Sequence, residues 1–166
     1  MMKQFVTSVG LALAALTAPL SACAQDSYLV TLEPDLSYQG ARVAFEAFEA
    51  EAAARELNLA IIILDRAGDE ILLARTDGAD HTHVFFARQK AETALTIGVP
   101  TKAISERMSS GNLAILSIDG MIAVPGGVPI NWGDKVIGAI GISGAPPNID
   151  HEIATIAAAA VETQQE

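Results

Sequence analysis

The sequence predicts an α/β sandwich: a mainly antiparallel sheet of five or six strands flanked by helices. Three observations predict it. Aliphatic runs come in pairs joined by short polar turns, the pattern of antiparallel hairpins. Segments of helical periodicity stand before, between and after those pairs. The strands lack the crossover helices that a parallel doubly wound sheet needs. The chain has 166 residues, and less an N-terminal leader it makes one domain able to bury an ordinary core.

The leader comes first. Lys3 and the apolar run Val9–Leu16 read as an export signal too short to span a bilayer. Residues 1–24 are assigned to it and residues 25–166 to the single domain. Ala22-Cys23-Ala24 suits an ordinary signal peptidase that leaves Gln25 first, whereas Leu20-Ser21-Ala22-Cys23 suits a lipobox with Cys23 lipidated. The expected location is periplasmic or extracellular, either free or as a lipoprotein anchored at Cys23. The chain holds one cysteine, so no intrachain disulfide is expected.

Pro34 breaks any early helix, and Ser37 is a suitable N-cap for a helix to about Leu57. Ala41, Ala44, Phe45, Phe48 and Ala52 give that helix one apolar face, and Asn58 is expected to close it in the left-handed conformation. Leu59–Leu64 is continuously aliphatic, a strand buried on both faces, and Glu70–Thr76 returns as its hairpin partner. A helix from about Asp80 to Leu95 follows, capped by Asp77 or Asp80, with a small-residue face suited to lying close on a sheet. Thr101–Met108 is a short helix. Leu113–Ile118 and Met121–Val124, around Asp119-Gly120, are expected to form a short strand pair. Val124–Ala145 is a further hairpin turning at Asn131–Asp134, dense in glycine, against which a helix, a second subunit or a ligand lies. A last helix follows Pro146-Pro147, with Ile149, Ile153, Ile156 and Ala157 on one face.

The net charge is −10, and loss of Lys3 with the leader makes it one unit more negative. That charge argues against nucleic acid as a partner, because its phosphates are repelled. No phosphate loop, dinucleotide fingerprint or Gly-x-Ser-x-Gly elbow is present.

Several motifs fall in a recognisable order: Asp65 and Gly68, Arg75–Ala79, Ala87 with Lys90-Ala91 and Thr93-Ala94, Thr101, Gly126–Ile130, Gly138–Ala145 and Asp150. Across about Leu32 to Val161 the chain resembles the GlcG/HbpS-like, haem-binding or haem-degrading, family. The resemblance implies a profilin-like α/β/α sandwich and self-association into tetramers or octamers. It implies a haem or tetrapyrrole ligand, with haem degradation as a further activity. Thr76 stands where the family more often has Met, and His83 where Ser or Thr is frequent.

Two constellations carry candidate chemistry. Asp77, Asp80, His81 and His83 crowd one helix start, where an imidazole serves as a general base near neutral pH or as a haem-iron ligand. His81 and His83 are two apart and diverge, so they chelate poorly as a pair. The bland alternative is a solvated helix start whose acids cap free N–H groups. Arg75, Lys90 and Asp65 form the second constellation. It reads either as an Asp65–Arg75 pair holding a hairpin end or as cations that bind a haem propionate or small organic acid. The candidate ligand-binding set is Arg75, Asp77, Lys90, Thr93, Gly126 and Gly127, with the two glycines offering backbone N–H groups as a pocket wall. His151, Met108, Met121 and Tyr38 are further iron-ligand types; Trp132 is expected to be exposed at its hairpin tip.

The leading expectation is an exported, oligomeric haem-binding protein. The alternatives are a cofactor-independent lyase, isomerase or hydrolase acting on a small oxygenated organic acid, or a non-catalytic accessory subunit of a catabolic enzyme.

Overall fold

A computed structural model describes residues 32–165, so the readings of the export leader and of Cys23 lie outside the described residues. Four strands form one antiparallel sheet in the order β2-β1-β4-β3, with β1 Ala60–Asp65, β2 Glu70–Arg75, β3 Gly127–Trp132 and β4 Lys135–Ser143. The four principal helices are α1 Tyr38–Ala54, α2 Thr82–Ile97, α3 Thr101–Ser109 and α4 Pro147–Glu162. Helices α1 and α4 pack together on one face of the sheet, and α2 lies across β1, β4 and β3 on the other.

The central strand β1 explains the layering. Ile61 and Ile63 point into the cluster beneath α1 and α4, while Ala60, Ile62 and Leu64 point beneath α2. Every second residue takes the opposite face of a strand, so a continuously aliphatic strand requires cover on both sides. Ser37 caps α1 as expected, its Oγ accepting the Gly40 N–H at 3.1 Å.

Three expectations need correction. The sheet has four strands among the described residues, not five or six. The missing pair is residues 113–124: Ala114–Ser117 is a single 3-10 turn, and the rest is irregular. Leu113, Leu116 and Ile118 remain exposed there, because no neighbouring strand offers the segment a buried face. The left-handed closing residue of α1 is Glu56 (φ 53°), not Asn58; the Leu57 N–H reaches back to the Ala52 carbonyl at 2.9 Å and sets that position.

What lies against the glycine-rich hairpin is α2. A Cβ on Gly141 would sit 1.9 Å from the Ala87 carbonyl oxygen, and one on Gly127 would sit 2.1 Å from that of Lys90. Helix and sheet backbones therefore touch, which the buried Ala87, Ala91 and Ala94 on α2 permit. Among the described residues no helix is long and apolar enough to cross a membrane.

Candidate functional site

The register sets which sequence-predicted residues meet. Arg75 pairs with Ala60, which pairs with Ser143, so Arg75 and Gly126 mark opposite edges of one end of the sheet. Three strand spacings of about 4.8 Å separate them. Lys90, Thr93, Gly126 and Gly127 gather at the β3 side of that end; Arg75 and Asp77 lie apart from them.

Lys90 comes off the sheet-facing side of α2. Its Nζ donates to the Ile142 carbonyl at 2.8 Å and to Asp150 Oδ2 at 2.7 Å. The two side chains are 3% and 2% exposed. Asp150, in the first turn of α4, accepts the Ala145 N–H on its other oxygen at 2.9 Å. The pair thus joins the helices of opposite layers around the end of β4. Gly126 seals it: a Cβ there would sit 2.8 Å from Lys90 Nζ and 2.9 Å from Asp150 Cβ, and its φ is +125°. Burial pushes Lys90 down from its ordinary value against the attraction of Asp150. Burial likewise pushes Asp150 up, opposed by Lys90, by the Ala145 N–H and by His83.

Thr93 and Thr101 complete this interior. Thr93 Oγ1 donates to the Gln89 carbonyl at 2.7 Å and accepts the Ile122 N–H at 3.0 Å, tying the irregular segment to α2. Thr101 Oγ1 accepts the Gly127 N–H at 2.9 Å. Lys90, Thr93, Gly126 and Gly127, expected to line a ligand pocket, are all buried here. Lys90 bonds Ile142 and Asp150, Thr93 bonds Gln89 and Ile122, and the Gly127 N–H is taken by Thr101.

The helix start is open instead. His81 is 89% exposed at the side chain, and its Nδ1 lies 3.3 Å from Asp80 Oδ1. Asp80 accepts both the N–H and the hydroxyl of Thr82 at 2.8 Å, and these bonds, the backbone one first, hold its carboxyl below the usual range. His83 is half-buried and lies close enough for its charge to favour the Asp150 carboxylate. It shares a helix row with Phe86, three residues on, and Phe86 is 44% exposed. Arg75 donates through Nη1 to the Ala79 carbonyl, so it anchors the loop leading into α2. The proposed Asp65–Arg75 pair does not form: the two residues lie at opposite ends of the hairpin, and Asp65 Oδ1 accepts the Ala67 and Asp69 N–H groups at 2.9 Å.

His151, one of the further iron-ligand types, is half-buried, and its Nδ1 has no hydrogen-bond partner. Burial lowers its pKa, with Lys102 adding to the effect and Glu106 and Glu152 opposing it. Trp132 is exposed as expected. Among the described residues no three His, Cys, Asp or Glu side chains gather to hold a metal ion. Sequence reasoning missed Asp150 as the partner of Lys90. The available signal was a lysine on the alanine face of α2, where a charge requires a counter-ion.

The chain is similar to several known proteins. A family model described as haem degrading protein HbpS-like matches residues 36–159. Protein GlcG of Escherichia coli (strain K12) is 29% identical over 108 residues, spanning 65% of this chain and 81% of GlcG. Among solved structures, a double mutant of HbpS from Streptomyces reticuli superposes with a TM-score of 0.72 at 26% identity, over 87% of this chain and 97% of that one. A PduOC:heme complex superposes with a TM-score of 0.69 at 25% identity, over 76% of this chain and 94% of that one.

Proposed function

The chain belongs to the HbpS-like family, and on that premise we propose that it binds haem or a related tetrapyrrole at the N-terminal end of α2. The observation that carries the reading is the row formed by half-buried His83 and exposed Phe86. An imidazole and an apolar ring on one face suit a flat ligand with a metal at its centre. Arg75 supplies the cation: one guanidinium N–H holds the Ala79 carbonyl, and four donors remain for a propionate. His81 is a poorer ligand because it stands in solvent beside Asp80. A related solved chain bears haem, which supports the choice of ligand.

Haem, when bound, supplies a redox-active iron; the residues named here hold and orient it. Haem degradation presupposes that hold, and we assign it to the same site. The enzyme acting on an organic acid loses one of its two anchors, because Lys90 is buried and already paired with Asp150 and the Ile142 carbonyl. We propose further that the protein is a homo-oligomer, supported by the exposed Phe85 on the outer side of α2.

Haemin titration of the purified protein, read as Soret absorbance, tests the site. A shifted band is expected at micromolar haemin. His83→Ala is expected to weaken binding by about tenfold or more, since loss of even an outer partner of a metal ligand costs that much, while His81→Ala leaves it unchanged. No Soret shift, or unimpaired binding by His83→Ala, sinks the reading.

A further inference from the structure

At the other end of α2 a cleft of about 180 Å³ opens between Ile97, α3 and the 3-10 turn. Ile97 follows His83 by 14 positions, about 21 Å along a helix at 1.5 Å per residue, so one tetrapyrrole does not span both places. The cleft is also smaller than the roughly 300–1,000 Å³ of pockets for drug-sized ligands. It calls for a smaller molecule.

Its walls are Ile97, Ile104, Ile115 and Ile118, and its polar lining is Arg107 and Asn112. Arg107 makes no ion pair among the described residues, in a chain whose acids outnumber its Lys and Arg by 20 to 10. Ile104 and Arg107 share an i,i+3 row of α3. Lys102 and Glu106 occupy another row and act on His151, and among the described residues Glu106 makes no ion pair with Arg107. Asp119, directly after Ile118, is exposed. Asn112 spends its Oδ1 on the Ala114 N–H at 3.1 Å and leaves its amide donors free. An apolar hollow with an unspent guanidinium and a spare amide at its rim is complementary to a carboxylate carried on a short hydrocarbon.

We propose that this cleft binds a small apolar monocarboxylate, with the hydrocarbon against the isoleucines and the carboxylate on Arg107 and Asn112. The 3-10 turn that walls the cleft is bracketed by Gly111 and Gly120, at φ +96° and +77°.

Octanoate is the probe, and octanol is the uncharged control, both measured by calorimetric titration of the folded protein. Octanoate is expected to bind at millimolar concentration or below, and octanol about tenfold or more weakly, the margin of a charge-assisted hydrogen bond. Arg107→Gln is expected to weaken octanoate about tenfold without changing octanol binding or the thermal melt. His83→Ala is expected to leave octanoate binding intact, which separates this cleft from the haem site. Absence of octanoate binding, equal affinity for octanol, or full binding by Arg107→Gln overturns the proposal. A change in melt alone in Arg107→Gln would reduce the residue to a charge that complements the α3 C-terminus.

Discussion

Lys90 and Asp150 are two residues whose charges have left water together. A buried pair of this kind is weak evidence of net stability, but removal of one partner strands the other charge. Asp150→Asn is therefore expected to destabilise the domain by about 3–5 kcal/mol at neutral pH, whereas replacement of both residues by apolar side chains of similar volume costs far less. The pH dependence follows from the directions of the shifts. Lys90 is held below its ordinary 10.5, so from its folded pKa up to 10.5 the unfolded chain binds more protons and stability rises with pH. Asp150 is the group that holds Lys90 up, and its loss extends that window downward. Asp150 is itself raised above 3.8, so wild-type stability falls as pH climbs from 3.8 to its folded pKa, a loss that the asparagine variant lacks. Urea melts at stepped pH read both effects. Equal slopes above neutrality in wild type and Asp150→Asn would mean that Lys90 does not titrate in the folded state as described.

At the scale of elements, α2 and β4 meet backbone against backbone at Gly141. The carbonyl of Ala87 stands where a Cβ on Gly141 would be, and the Ala91 nitrogen is 2.7 Å from the same point. Backbone cannot rotate away as a side chain can, so Gly141→Val forces α2 off the sheet. Overpacking costs about 1–3 kcal/mol and more when the backbone must move; the variant is expected to lie at or beyond the upper end and to show a lowered denaturant midpoint even as an isolated chain. A wild-type midpoint would place the packing of this glycine elsewhere. Elements with a strong local signal were legible: the aliphatic β1, the Ser37 cap and the alanine face of α2 each name their own environment. Residues 113–124 were misread because Asp119-Gly120 and flanking aliphatics state a turn and apolarity, whereas a strand also requires a neighbour with free backbone groups. That neighbour is absent, since β3 is held on one side by β4 and α3 lies against it.

At the scale of the whole molecule, topology decided what sequence could not. Lys90 and Asp150 are 60 positions apart and come from opposite layers, so no spacing rule announces them; Arg75 and Gly126, each prominent in its motif, end on opposite edges of the sheet. The same layering leaves one face of α2 without cover. Phe85 is 58% exposed and packs edge to face on Phe86, with ring centroids 5.4 Å apart. A lone exposed apolar residue is ordinary, but a rigid aromatic pair on an outer helix face is the kind of patch that protein surfaces bury on association. Phe85 follows the solvent side of α2, and Phe86 follows the row of His83, so the two proposed roles are separable by substitution. Sedimentation of the wild type is expected to show a homo-oligomer, and Phe85→Asp is expected to shift it to the monomer while the thermal melt of the domain and its haemin binding persist. A wild type that sediments as a monomer at micromolar concentration would remove the oligomer. An oligomer indifferent to Phe85→Asp would move the interface off α2.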